Sequence, residues 1–201
     1  MGPKLYSPSI GSGGNIAPAQ NRVTYSIADI TGVSPLSPLG DGDTLLQTID
    51  LLPLNSDSSA SNLPCVEFRR DTQASPDLLR LCSNISGEVT LGFEFDVLGG
   101  HDGVAVGDSF ADFLIFRADG HFLAKSKAVR LTGVPWAISH VALQVTVDSA
   151  LIDIEAGEGV GVYLAVDFYN VSGADITPWV SLSGITAFGY EPSPWVERTF
   201  P

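Results

Sequence analysis

Residues 88–97 read EVTLGFEFDV and show the clearest alternation of apolar and polar side chains in the chain. One face of this stretch carries apolar side chains, and the opposite face carries polar ones. The apolar face consists of Val89, Leu91, Phe93, Phe95 and Val97. A period of two is typical of a strand with one buried face. The stretch is therefore predicted to be a β-strand that packs on an apolar core.

The same alternation recurs toward the C-terminus, between turn signals. Further strands are predicted at 44–51, 64–69, 110–116, 121–124, 141–147, 160–169 and 178–190, the last with a bulge at Gly184. Ala118-Asp119-Gly120 is a glycine-containing hairpin link between two of them. About eight short strands favour an all-β fold, a single antiparallel β-sandwich or jelly roll.

One segment carries helix signals instead. Ser75 is a good N-cap, Pro76 suits the first helical position, and Asp77 would meet the positive end of a helix. A helix of one or two turns is therefore predicted at Ser75–Arg80.

The first 43 residues differ from the rest in composition. The glycine and proline residues of this segment, with Gly11-Ser12-Gly13-Gly14 among them, leave room only for a short strand near Arg22–Ile27. We therefore divide the chain into an extended N-terminal arm (1–43), a jelly-roll-like domain (44–190) and a proline-rich C-terminal tail (191–201). Such an arm buries too little apolar surface to order by itself, so we expect it to lie on its own domain or on a neighbouring subunit. It is predicted to carry subunit contacts.

Composition and charge exclude several classes of function. The chain has 201 residues, 44% of them hydrophobic, so it is predicted to fold rather than stay disordered. A formal charge of −13 opposes direct contact with nucleic acid, which requires clustered Lys or Arg. Polar residues interrupt every apolar run well before the roughly 20 residues of a membrane helix, so no membrane span is predicted. The first residues also lack the pattern of a secretory signal.

The two cysteines, Cys65 and Cys82, are too few for a disulfide framework or a cysteine-only zinc site. Without a secretory signal, two buried thiols are favoured over a disulfide between them. Asn84-Ile85-Ser86 and Asn170-Val171-Ser172 match the glycosylation pattern, which has meaning only in a secreted protein.

The candidate catalytic residues of the sequence are hydroxyl and carboxylate groups. Gly107-Asp108-Ser109 is similar to the nucleophile block of some esterases, but no later Asp-x-x-His follows it. The loop-to-strand turn is the favoured interpretation of Ser109. The carboxylates Glu88, Glu94 and Asp96 share one strand face, where a solvated face is favoured over a glycosidase pair. No catalytic residue is predicted, and the chain is not expected to be an enzyme.

The sequence patterns that could indicate a metal or cofactor site are also weak. His101, Asp102, Asp108 and Asp112 lie close together in sequence but lack the rhythm of a calcium loop, so a solvated acidic loop is favoured. Asp41-Gly42-Asp43 and the group of Asp153, Glu155 and Glu158 are weaker versions of this signal. The spacing of the three histidines gives no zinc pattern, and no glycine-rich phosphate loop ends in lysine. No metal or cofactor is predicted.

Aromatic residues offer one further binding hypothesis. A platform for stacking sugars would use Trp136, Trp179, Trp195, Tyr163, Tyr169 and Tyr190. Packing in the core or at a subunit interface is the favoured alternative.

The long arm followed by a series of short strands resembles viral jelly-roll structural proteins, in which an arm ties one subunit to its neighbours. This resemblance implies a capsid, decoration or vertex protein of a virion, whose partners are copies of itself and other capsid proteins. Because the arm has only Lys4 and Arg22 as cations, it departs from the basic arms of small RNA viruses, which favours a phage or DNA virus. The alternative is a trimeric receptor- or glycan-binding head, since residues 180–190 look like the closing strand of tumour-necrosis-factor and complement heads.

Overall fold

The computed structural model describes residues 5–8, 22–51, 66–71, 78–83, 88–102, 107–133, 138–148, 160–190 and 195–198. These residues form fourteen strands and no helix. In chain order the strands are β1 (Leu5–Pro8), β2 (Arg22–Ser26), β3 (Ile30–Val33), β4 (Thr44–Ile49), β5 (Val66–Asp71), β6 (Leu78–Ser83), β7 (Glu88–Asp102), β8 (Asp108–Arg117), β9 (Phe122–Lys125), β10 (Val129–Leu131), β11 (Ser139–Asp148), β12 (Val160–Val171), β13 (Thr177–Tyr190) and β14 (Trp195–Arg198). No helix in these ranges is long and apolar enough to cross a membrane.

Two antiparallel sheets form a sandwich. The front sheet has five strands in the order β11-β7-β13-β2, with β3 also paired to β13. The back sheet has seven strands in the order β10-β8-β12-β6-β5, with β4 also paired to β12 and β9 to β8. The predicted all-β sandwich is therefore confirmed. Strands outnumber the expected eight because β8, β12 and β13 each pair with two short strands along one edge, and because β1 and β14 form a separate pair.

The core lies between the sheets and follows the period of two in the sequence. Phe93, Phe95 and Val97 of β7 are buried on the front sheet, and Phe113 and Ile115 of β8 are buried on the back sheet. The rings of Phe95 and Phe113 meet edge to face across the sandwich with centroids 4.9 Å apart. The alternation that predicted a strand at 88–97 therefore marks the side chains that join the two sheets.

Part of the predicted arm belongs to the sandwich. Strands β2 and β3 pair with β13, and the side chains of Tyr25, Ile27 and Leu39 are buried in the core cluster. The Ile27 amide donates to the Ile185 carbonyl at 2.9 Å, and Leu39 exchanges backbone hydrogen bonds with Ile176 at 2.7 and 3.1 Å. The segment that contains Tyr25, Ile27 and Leu39 therefore packs on its own domain, which is one of the two placements expected for the arm.

The predicted helix at Ser75–Arg80 is wrong over Leu78–Arg80, which begin strand β6; Ser75, Pro76 and Asp77 lie outside the described residues. Strand β6 pairs with β5 on one side and β12 on the other, and Leu79 is 2% exposed. A single helical turn forms one hydrogen bond at high entropic cost, whereas strand pairing satisfies the backbone along the segment and buries Leu79.

Two local predictions depend on glycine, and both are confirmed. The pairing of β13 with β7 shifts register between Ser183 and Thr186, and Gly184 between them has a φ of 60°. The link between β8 and β9 turns at Gly120, whose φ is 82°. Both backbones lie in the left-handed region, which glycine enters without steric cost.

Candidate functional site

Ser109, the residue of the esterase-like block, takes part in strand pairing. Its side chain is 0% exposed at the start of β8, and its hydroxyl donates to the Tyr169 carbonyl at 2.9 Å. A serine nucleophile needs an accessible hydroxyl and a neighbouring base. The geometry therefore gives Ser109 a structural role, as favoured from the sequence.

Three of the four residues of the candidate metal cluster have separate partners, and the buried ring nitrogens of the fourth, His101, have none among the described residues. Asp102 accepts from the Thr177 amide at 2.8 Å, and Asp108 forms an ion pair with Arg130 at 2.6 Å. Asp112 forms an ion pair with Lys125, and His101 is buried at the end of β7. No group of three metal-binding side chains occurs among the described residues. Of the weaker signals, Asp41 accepts from the Gly173 amide at 2.9 Å, and residues 153–158 lie outside the described ranges.

The candidate carboxylate pair on β7 is also part of strand pairing. Asp96 lies opposite His140 of β11, and its Oδ1 lies 3.0 Å from the His140 Nδ1. Glu94 is opposite Ala142 on one side and Thr186 on the other. Glu88 begins β7, but its side chain is outside the described part. Both described carboxylates thus lie on the outer face of the front sheet.

A charged cluster on the outer face of the back sheet was not foreseen from the sequence. Asp112 of β8 and Asp167 of β12 are direct cross-strand partners, and Lys125 of β9 forms an ion pair with Asp112. The side chain of Asp112 is only 3% exposed, and its Oδ1 has no hydrogen-bond partner among the described residues. Among the described side chains, Lys125 is the cation paired with this buried carboxylate, and it compensates part of the cost of burying that charge.

The pKa values in this cluster follow from burial and from the charge of Asp112. Burial raises the pKa of Asp167, and the neighbouring Asp112 carboxylate raises it further. The hydrogen bond from Lys125 to Asp112 raises the pKa of the Lys125 ammonium. Burial, followed by the charge of Asp112, raises the pKa of the Tyr169 hydroxyl. The cluster therefore stabilises the charged form of Lys125 and disfavours ionisation of Asp167 beside Asp112.

Stacked aromatic pairs flank this cluster. Phe110 stacks on Tyr169 with centroids 5.2 Å apart, and Phe116 stacks on Tyr163 at 5.3 Å. Phe122 meets the Phe116 ring edge to face at 6.0 Å. In both stacked pairs the rings are cross-strand neighbours that cover each other's faces. A sugar platform needs open ring faces, so these pairs act in packing rather than as a flat platform.

The remaining aromatic residues of the platform hypothesis lie elsewhere. Trp179 and Tyr190 belong to β13 in the front sheet, so they are on a different sheet from Tyr163 and Tyr169. Trp136 and the side chain of Trp195 lie outside the described part. The described aromatic residues are thus divided between two sheets rather than gathered into one platform.

Asn170, in the second glycosylation pattern, is buried and fully used by the fold. Its Nδ2 donates to the Leu39 and Ala174 carbonyls at 2.8 and 2.7 Å, and its Oδ1 accepts from the Ser172 amide and hydroxyl at 2.9 and 2.6 Å. The side chain is 0% exposed, so it cannot accept a glycan in the folded chain. Asn84 and Cys65 lie outside the described residues, as does the side chain of Cys82.

A shallow cavity of about 260 Å³ lies at one end of the sandwich, lined by Pro38, Asp102, Asp175, Ile176 and Thr177. Asp102 is already bound to the Thr177 amide. The cavity therefore offers one further carboxylate, that of Asp175, and its described lining contains no cation.

Strand β11 forms one edge of the front sheet. It pairs with β7 without interruption from Ser139 to Asp148, and in the described part of the chain its other side has no strand partner. Val141 and Leu143 are buried, whereas His140, Ala142 and Gln144 are exposed. An unpaired edge of this kind can accept another strand through its free amide and carbonyl groups.

Searches for related proteins gave structural neighbours only. No family model and no curated protein matches the chain. Its solved structural neighbours include infectious bursal disease virus, Gx strain (TM-score 0.39, 12% identity, 96% of this chain and 44% of the other), and the VP2 subviral particle of that virus (0.35, 13%, 96% and 44%). Another is broad bean stain virus (0.26, 10%, 97% of both chains).

The chain thus spans less than half the length of the bursal disease virus chains that it matches. The architectural resemblance to viral structural proteins expected from the sequence is found among these neighbours. Because the TM-scores are below 0.5, the likeness adds nothing on the chemistry of this chain.

Proposed function

We propose that this chain is a non-catalytic structural subunit of a symmetric viral particle, as a capsid or decoration protein of a phage or other DNA virus. Its partners would be copies of itself and other capsid proteins, and it would act in the virion. The viral role is proposed from the resemblance of the long arm and the series of short strands to viral jelly-roll structural proteins. The arrangement of the chain ends supports a role in assembly.

The observation that carries the proposal is a small ribbon formed by the two ends of the chain. Strand β1 pairs with β14 from Leu5 opposite Arg198 to Pro8 opposite Trp195, and the ribbon belongs to neither sheet. Each strand has four residues. A two-stranded ribbon is only marginally stable in water unless another surface packs on it. A neighbouring subunit would provide that surface, which is how arms tie shells together.

The chemistry of the described side chains is consistent with this role. Ser109 is buried, and Asp102, Asp108 and Asp112 have structural partners. The charge of −13 opposes close contact with nucleic acid, so the proposal places the chain away from the genome.

Removing residues 1–21 tests the proposal while sparing β2, β3 and the buried Tyr25. The full chain should form a discrete closed assembly by light scattering and electron microscopy, and the truncated chain should fold but give a smaller mass. A control chain that lacks only residues 199–201 keeps β14 and should assemble like the full chain. An unchanged mass for the truncated chain, or a monomeric full chain, would contradict the role of the arm.

A further inference from the structure

The edge of the front sheet lacks the devices by which proteins usually protect edge strands. Natural edges are short, or carry lysine, proline or a bulge. Strand β11 has ten residues, SHVALQVTVD, with no Lys, Arg or Pro, and its register with β7 is regular throughout. Strand β5, one edge of the back sheet, is by contrast six residues long and carries Glu67, Arg69 and Arg70.

Charge also sets this edge apart from the rest of the chain. Between Arg130 and Asp148 the sequence contains no Asp, Glu, Lys or Arg. Two copies of a chain with a formal charge of −13 repel each other over most surfaces, so close approach is favoured where charge is missing. Ile138, next to the start of β11, is 66% exposed and adds apolar surface there.

From these observations we propose that β11 pairs antiparallel with β11 of a second copy, which joins the two front sheets across a twofold axis. The pairing is centred on Leu143, so that Val141 lies opposite Val145 of the second copy. Ala142 then lies opposite Gln144 of the second copy, and this contact occurs twice. Exposed small or neutral polar side chains face each other, and no like charges meet.

The chain's own arm is a poorer occupant of this edge. Residues 1–21 contain Pro3, Pro8 and Pro18 and the run Gly11–Gly14, so they lack a long stretch of amides and β-forming side chains. The described strand of the arm, β1, is already paired with β14. A second β11 offers ten continuous strand residues instead.

The test compares two double variants that differ in one residue. A142K/Q144K places lysines opposite lysines in the pairing centred on Leu143, whereas A142K/Q144E places lysine opposite glutamate. Both positions are exposed, and Lys at 142 would lie opposite Glu94 of the same chain, so both variants should fold. A128K/S183K, at two exposed positions outside β11, is the control for added charge.

Sedimentation velocity and amide hydrogen exchange of the full-length proteins give the readout. The wild type, A142K/Q144E and A128K/S183K should associate with similar affinity and protect those amides of residues 139–148 that point away from β7. A142K/Q144K should associate at least about tenfold more weakly and lose that protection. Equal association and protection in A142K/Q144K, or a wild type in which the β11 amides that point away from β7 remain unprotected at high concentration, would overturn the inference.

Pairing through β11 rests on the proposed particle role, but failure of the pairing and failure of that role give different results. If A142K/Q144K still forms closed particles with protected β11 amides, edge pairing is refuted and the particle role is retained. If the wild type forms only β11-linked dimers in the presence of its arm, edge pairing is retained and the particle role is refuted.

Discussion

The outer faces of the two sheets are built differently. On the front sheet, Thr90 and Thr146 join hydroxyls at 2.9 Å, and Asp96 bonds His140 at 3.0 Å, both at exposed positions. On the back sheet, the side chain of Asp112 is 3% exposed, and a stacked aromatic pair lies on either side of it along β8. The comparison shows that the front face is suited to solvent, whereas the back face packs a second, partly buried layer onto the sandwich. Substitutions of similar size should therefore have different costs on the two faces.

Phe113→Ala measures the cost of truncating a core side chain between the sheets. The costs of substitutions on the two outer faces can be compared with this value. Phe113 is 0% exposed and packs edge to face on Phe95. Its truncation should lower the free energy of unfolding by about 3–5 kcal/mol, since the site loses transfer energy and gains a cavity. Chemical denaturation with Phe113→Leu as a milder control measures this, and a loss below about 1 kcal/mol would mean that the sheets do not share a packed core.

Phe116→Ala tests the packed layer on the back face. The ring stacks on Tyr163 and also meets Phe122, so its loss should cost about 1.5–3 kcal/mol of unfolding free energy. Phe116→Leu keeps much of the apolar area and should recover about half of the loss. If Phe116→Ala is neutral in a denaturant titration, the two outer faces do not differ in the way described.

Asp167→Asn tests the charge cluster of the back face. The folded-state pKa of Asp167 is raised by burial and then by Asp112, so the folded protein binds this proton more tightly than the unfolded chain does. The ionised carboxylate therefore opposes folding at neutral pH. Its penalty should fade as pH falls through the raised pKa, and it should vanish below the ordinary value of 3.8.

Thermal unfolding of Asp167→Asn and wild type between pH 3 and 8 measures this linkage. The variant should be slightly more stable at pH 7 and indistinguishable near pH 3, with an effect smaller than that of Phe116→Ala. Asp96→Asn, on the front face, is the matched control. A difference for Asp167→Asn that stays constant with pH would contradict a role for its ionisation.

Thr146→Ala should have the smallest effect. Thr146 is exposed at the edge of the front sheet and shares a hydroxyl contact with Thr90, so its truncation should cost no more than about 0.5 kcal/mol. Equilibrium unfolding of Thr146→Ala and Phe116→Ala under the same conditions gives the ratio of their losses in unfolding free energy. Losses of equal size would remove the distinction between a solvated and a packed outer face.

Sequence reasoning succeeded where structure depends on neighbours along the chain. The strand at 88–97, the bulge at Gly184 and the turn at Gly120 were each predicted from alternation or from glycine. Reasoning failed at Leu78–Arg80, where local helix signals compete with pairing to β5 and β12. The glycine and proline density of the predicted arm gave no sign that Tyr25, Ile27 and Leu39 reach the core cluster.

The candidate site residues also include features that the sequence did not indicate. The sequence favoured a solvated acidic loop from His101 to Asp112, but both of these residues are buried on strands β7 and β8. It gave no sign that Asn170 links Leu39 to Ala174, or that Asp112 and Asp167 are cross-strand partners. These contacts join residues far apart in the chain, and alternation does not specify which strands become neighbours.

The sequence alone determined that this chain is an all-β protein with an acidic surface, because a period of two and an excess of carboxylates are properties of the chain itself. The tertiary structure decided which strands are edges and which polar side chains are buried. Strand order follows from the collective packing of two sheets, in which each pairing is stabilised by contacts with the others. The exposed edge at β11 and the buried carboxylate of Asp112 are consequences of that order.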